Sequence, residues 1–202
     1  ALGFGGNIGV WGKINQGTEY GVTFKTPINY KYKKGSASLE NVPLLLSSTI
    51  TNSERLNTTY KTPYQISLAM SNRVMEKVYV TYQFDLDGWK INKEQVLDFE
   101  NEEIPDLVYE RNYKNSFVFR VGGEYLMNEQ LNFRGGFYYK ETPVADEYIS
   151  PEFPDGSALG YTAGGSYIAT ENISIDLAIL YENQAKRTFL NDQHQFGGTM
   201  KT

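Results

Sequence analysis

Three basic side chains in segments of alternating polarity are candidates for ligand chemistry. Arg120, Arg134 and Lys140 share the parity of their polar neighbours, so they project from one face of an extended chain. A guanidinium offers a carboxylate a two-pronged fork, and an ammonium offers a point charge. Interior charges are ordinarily paired, so the competing role is an ion pair, with Glu124 or Asp176 as partner of Arg134. A second candidate is an apolar island in a polar stretch, residues 41–46, whose Val42, Leu44, Leu45 and Leu46 present a surface of the kind that receives hydrophobic ligands. Its competing role is packing onto a neighbouring rim.

Other patterns carry less chemistry. Asp85, Asp87 and Gly88 are spaced like the start of a calcium loop, but the further ligands and closing Glu are missing. His194 is the only histidine and there is no cysteine. Thiolate metal sites, disulfides and cysteine nucleophiles are thereby excluded. With no G-x-S-x-G and no second His, no hydrolase triad forms. Glycine pairs at 5–6, 122–123, 135–136, 164–165 and 197–198 match no phosphate-binding loop and read as bends or close approaches within strands. The expectation is a protein that is not an enzyme, with no cofactor and no metal.

The elements that must carry these residues are strands. Val78, Val80, Tyr82, Phe84 and Leu86 alternate with Tyr79, Thr81, Gln83, Asp85 and Asp87, a period of two. Comparable alternation gives eight strand candidates: 4–14, 20–31, 64–71, 78–87, 116–126, 131–140, 159–169 and 173–181. Most exceed the usual strand length of about 5–6 residues and approach the ~9–11 needed to cross a bilayer. Their connections alternate between short turns and long polar segments, the latter at 33–62, 88–113, 141–157 and 182–195. That layout predicts an all-β, antiparallel up-and-down transmembrane barrel with short periplasmic turns and long outer loops.

Composition agrees. The 202 residues carry 19 Lys and Arg against 24 Asp and Glu, a net charge of −5, and no concentrated basic face of the kind nucleic acid requires. Aromatics are abundant, 16 Tyr, 11 Phe and 2 Trp, and those near strand ends, such as Tyr30, Tyr64, Tyr125, Tyr139 and Tyr181, suit interfacial girdles. No run of about 18 apolar residues provides a transmembrane helix. No charged-then-apolar leader opens the chain, which is expected of a mature or truncated chain.

Residues 117–181 resemble the C-terminal half of the FadL/TodX (OmpP1) family of outer-membrane transporters for hydrophobic compounds. The segments that carry the resemblance are 131–137 (Leu-Asn-Phe-Arg-Gly-Gly-Phe), 142–144 (Thr-Pro-Val), 153–155 (Phe-Pro-Asp), 163–167 (Ala-Gly-Gly-Ser-Tyr) and 175–178 (Ile-Asp-Leu-Ala). Upstream, 5–9, 18–24 and Thr62-Pro63 look like the family's mid-barrel hairpin and the opening of a strand. Ser157 and Ala158 replace the acidic–Arg pair that family members carry after Pro-Asp. The family's N-terminal hatch and early strands are absent, and the chain stops at what looks like the start of a ninth strand, residues 198–202. Residues 1–202 are therefore expected to be the C-terminal part of one barrel of about fourteen strands.

The resemblance implies passage of long-chain fatty acids or other hydrophobic small molecules across the bacterial outer membrane by passive diffusion. It places Arg134 at the family's strand arginine, with Arg120, Arg134 and Lys140 as lumen contacts and the Val42–Leu46 island as a capture loop. Implied partners are a fatty-acid-like ligand and outer-membrane lipid, with no nucleic acid. An alternative reading is a FadL-like barrel that serves a secretion system as a structural component, meeting a protein partner through long outer loops such as 88–113, rich in Glu100, Glu102, Glu103 and Asp106.

Overall fold

The computed structural model describes residues 1–38, 53–102, 105–150, 154–191 and 196–200. Its elements in chain order are β1 (Asn7–Asn15), β2 (Thr18–Lys25), β3 (Asn29–Ser38), β4 (Ser53–Lys61), β5 (Tyr64–Met75), β6 (Val78–Gly88), β7 (Glu94–Phe99), β8 (Leu107–Glu110), β9 (Ser116–Leu126), β10 (Leu131–Lys140), β11 (Ala158–Thr170), β12 (Ile173–Gln184), β13 (Arg187–Asn191) and β14 (Phe196–Met200). Eight of these form one antiparallel sheet in the order β1-β2-β5-β6-β9-β10-β11-β12. Each of them overlaps one of the eight alternating segments.

Register puts the two faces of that sheet in opposite environments. Across β5, β6, β9 and β10, Ser67, Asp85 and Val118 stand in line, as do Gln83, Arg120 and Tyr138. The other face aligns Leu68, Phe84, Phe119 and Tyr139. One face is thus small, polar and charged, and the other apolar and aromatic, which is the inversion expected when lipid surrounds the barrel and water fills it. Toward the outer end of the apolar face, rings follow one another from strand to strand: Phe24–Tyr64 at 6.4 Å, Phe84–Phe117 at 5.9 Å, Phe117–Tyr139 at 5.8 Å and Phe137–Tyr161 at 5.6 Å between centroids. These spacings suit tilted aromatic pairs and mark a girdle. Tyr64 lies over Gly88 and Tyr138 over Gly160, where any Cβ would strike the ring.

The short turns are as tight as the pattern implied. Gln16-Gly17 joins β1 to β2, and Glu171-Asn172 joins β11 to β12. The expected turn over 72–77 is shorter in the structure, because β5 continues to Met75. A register shift sits beside three of these turns, at Lys13/Asn15, Arg73/Met75 and Ile168/Thr170, where bulges raise the local twist.

Two sequence expectations are corrected. The segment 20–31 is not one strand: β2 stops at Lys25 and β3 starts at Asn29. Pro27 lacks the amide that the ladder needs, and Pro63 interrupts the facing strand at the same level. The gap is bridged by Thr62 N to Ile28 O at 3.0 Å and Ile28 N to Thr62 Oγ1 at 2.8 Å. The long polar segments are not free of strands either, since they hold a four-stranded sheet, β3-β4-β7-β8, and a two-stranded one, β13-β14. The residues expected to open a ninth strand do form one, β14, paired among the described residues with β13, Arg187 opposite Met200.

Among the described residues, the cluster of buried apolar side chains lies outside the barrel wall, at its mouth. Val144, Ile149 and Phe189 pack together, with Tyr113, Tyr148 and Met200 against them. Arg187 staples this region: it donates to Val144 O at 2.8 Å and Asp155 O at 2.9 Å, and pairs with Asp146 at 2.6 Å. Asn191 Nδ2 donates to Ile149 O at 2.9 Å.

The sidedness has a direct test in a chain without cysteine. A Thr81→Cys variant is expected to react quickly with a membrane-impermeant thiol reagent, and a Tyr82→Cys variant to be shielded by lipid. Equal rates at the two adjacent positions would contradict the assignment of faces.

Candidate functional site

The polar face of the sheet forms the lumen wall, and its charges are paired along it. Asp85, 2% exposed, is bonded to Arg120 and accepts from Gln83 Nε2 at 2.9 Å. Asp87 accepts from Gln65 Nε2 at 2.9 Å. Arg134 meets Glu124 at 2.8 Å and Asp176 at 3.4 Å, both acids weighed as its partners from the sequence. Ser166 donates to Asp176, and Tyr138 donates to Glu182. Lys140 meets Asp155 at 3.0 Å, and Thr142 Oγ1 donates to the other oxygen of that carboxylate at 2.7 Å. All three basic residues singled out from the sequence therefore lie on the lumen wall, and each carries an acidic partner.

Two hollows follow one another down this wall. The upper, about 430 Å³, lies between the barrel mouth and the four-stranded outer sheet. Tyr60, Trp89, Tyr113, Val118, Pro143 and Val144 give it apolar surface, and Asn92, Arg111, Lys140 and Asp155 give it polar groups. The lower, about 600 Å³, is floored by Gly122 and Gly136 and ringed by Arg120, Glu124, Arg134 and Tyr138. Position along β9 shows the continuity: Ser116 and Val118 line the upper hollow, and Arg120, Gly122 and Glu124 the lower.

The upper hollow holds the less ordinary chemistry. Asn92 Nδ2 is buried with no hydrogen-bond partner among the described residues. Arg111, 7% exposed, donates to Ser150 Oγ at 3.0 Å and Gln95 Oε1 at 2.8 Å. Trp89 and Tyr113 meet edge to face at 6.0 Å. Burial, and secondarily the neighbouring Tyr32, push the Tyr60 phenol above its ordinary range, so it stays neutral.

Sequence reasoning missed Tyr60, Trp89, Asn92, Arg111 and Tyr113, all within segments read as polar loops. The available signal was the aromatic residues there, Trp89 and Tyr113. Val42, Leu44, Leu45, Leu46 and His194 lie outside the described residues. Among the described residues no cluster of His, Asp or Glu is suited to hold a metal ion, and no helix is long and apolar enough to cross a membrane.

Residues 1–201 match the family model described as outer membrane protein transport protein (OMPP1/FadL/TodX). The chain is 25% identical over 182 residues to outer membrane protein P1 of Haemophilus influenzae, covering 90% of this chain and 38% of that protein. It is 23% identical over 196 residues to the long-chain fatty acid transport protein of Escherichia coli O6:H1, covering 93% and 44%. Among solved structures, a Pseudomonas aeruginosa FadL homologue superposes with a TM-score of 0.82 at 17% identity, over 96% of this chain and 48% of that one. The Pseudomonas putida toluene transporter TodX gives 0.64 at 19% identity, over 92% and 45%. The chain thus spans about two fifths of the length of these curated relatives. With strands, register and an inverted polarity that agree with a match from end to end, the chain belongs to the OMPP1/FadL/TodX family of outer-membrane barrels.

Proposed function

We propose that this chain forms the C-terminal part of a single barrel through which hydrophobic small molecules, long-chain fatty acids first among them, cross the outer membrane by passive diffusion. The exposed edge strands β1 and β12 pair with barrel strands beyond this sequence. The observation that carries the reading is the mouth hollow. Apolar and aromatic surface lines most of it, while the Asn92 amide is buried without a partner and Lys140 reaches in from the wall. An unmet buried donor costs on the order of 1–3 kcal/mol, and a ligand oxygen placed there removes that cost. An amphipathic molecule with a long apolar body and one oxygen-bearing end complements both features.

Passage then runs downward from Lys140 to Arg120 and Arg134. Each cation already holds an acidic partner, so a ligand carboxylate only competes for it. Contacts of that kind favour entry without trapping, which conduction requires. The apolar island Val42–Leu46, on the outer connection between β3 and β4, supplies the first capture.

Uptake by cells that lack their own transporter tests this. A Val118→Trp substitution, which narrows the upper hollow, is expected to slow uptake of both a labelled fatty acid and a neutral aromatic compound. Lys140→Gln should slow only the fatty acid, several-fold at low concentration. Unchanged uptake in both variants would defeat the reading.

The pairing of the wall has its own expected outcome. Arg120→Met leaves Asp85 without its cation and should cost roughly 1–3 kcal/mol of barrel stability in urea. The double variant Arg120→Met/Asp85→Asn should recover most of that loss. A double variant no more stable than the single one would show that the pair does not hold the wall.

A further inference from the structure

The connection from β6 to β7 turns on a short 3₁₀ segment, Trp89–Ile91. A period of three sorts the side chains of residues 89–93 to two sides. Trp89 and Asn92 line the mouth hollow. Lys90 and Lys93 line a separate hollow of about 440 Å³, together with Asn112, Tyr113, Lys114 and Asn115. That lining contains three ammonium groups and two carboxamides and no carboxylate. None of the three lysines is ion-paired among the described residues. The neighbouring acid Glu110 accepts from the Asn112 amide at 3.2 Å.

The backbone holds these groups in place. Arg111 N and Asn112 N both donate to Lys93 O, at 2.7 and 2.9 Å, and Tyr113 N donates to Asn92 O at 3.2 Å. Lys114 N is anchored on Pro143 O at 2.9 Å, and Lys90 N on Asn115 Oδ1 at 3.1 Å. Asn112 has φ 37°, a left-handed conformation that few residue types adopt readily and that is often retained at functional positions.

Height on the barrel indicates what meets this hollow. Gly88 ends β6 and Ser116 begins β9, so Lys90 and Lys114 each stand two residues beyond the ends of wall strands. Trp89 and Tyr113, paired edge to face at 6.0 Å, lie at the same level. The outer leaflet there consists of phosphorylated glycolipid.

We propose that Lys90, Lys93 and Lys114, with the Asn112 and Asn115 amides, form a docking site for the phosphate groups of lipopolysaccharide in the surrounding outer leaflet. Charge-assisted bonds from ammonium and amide donors are the chemistry by which phosphate is held, and the absence of a lining carboxylate makes the hollow selective for anions. The site lies on the side of the 3₁₀ turn away from the mouth, so it anchors the barrel and its outer sheet independently of what passes through.

The test uses the full-length detergent-purified protein and native mass spectrometry with three probes: lipopolysaccharide, enzymatically dephosphorylated lipopolysaccharide, and inorganic phosphate alone. Wild-type protein is expected to retain the phosphorylated glycolipid and to lose it on dephosphorylation. The triple variant Lys90→Gln/Lys93→Gln/Lys114→Gln should bind it on the order of tenfold more weakly or less, and the matching triple Arg variant should bind like wild type. Equal binding by the Gln variant, equal binding of the dephosphorylated probe, or saturation by inorganic phosphate with no binding of the glycolipid would each overturn the proposal. If the Gln variant fails the heat-modifiable mobility check for folding, the dephosphorylation arm on wild-type protein decides alone.

Discussion

Hydrocarbon offers no hydrogen bonds, and that single constraint organises this molecule. Every amide and carbonyl at membrane depth has to find its partner within protein, because an orphan costs several kcal/mol there. An antiparallel ladder meets the demand only if strands run long and unbroken, and the eight strands of the main sheet do so through the membrane-spanning zone. Interruptions fall outside it. Pro27 and Pro63 break facing strands at one level, where Thr62 Oγ1 replaces part of what the ladder loses. The same level divides a wall that lipid must surround from outer sheets that water can solvate.

The ladder also dictates where charge sits. Alternation sends every second side chain into the lumen. The acids and bases are matched across the ladder: Asp85 with Arg120 one strand away, and Arg134 with Glu124 on the adjacent β9 and with Asp176 on β12, two strands away. Glycines at Gly122 and Gly136 leave bare backbone between these pairs. The resulting surface is polar, and each of its three cations is held by at least one acid.

Apolar packing of the familiar kind occurs only where the barrel ends. Lipid covers the barrel's apolar face, so side chains such as Leu177 and Ile179 stay exposed in the protein itself. The outer segments have no lipid around them and must bury their own apolar groups. Val144, Ile149 and Phe189 do this, and the Arg187 staple joins β13 to residues 144–155. That small core sets the position of Tyr113, and through it one wall of the mouth hollow.

The sequence alone determined the membrane-facing half of the structure. Period-two alternation, strand length and the rhythm of short and long connections are local properties, and a lipid-facing ladder leaves little freedom once they are specified. The parity of Arg120, Arg134 and Lys140, and the two acids in reach of Arg134, followed from the same alternation. Tertiary structure alone decided the outer half. Strands such as β7 and β8 are short, six and four residues, so their pairing depends on partners far away in the chain, as with Leu56 opposite Phe99. The pairing of Lys140 with Asp155 and the orphaned amide of Asn92 could not be read from spacing, because a loop's side chains acquire direction only once the loop is packed. The lysine hollow has the same origin. Residues 90, 93 and 114 are unremarkable in sequence and become neighbours only because two connections fold against one another at the barrel rim.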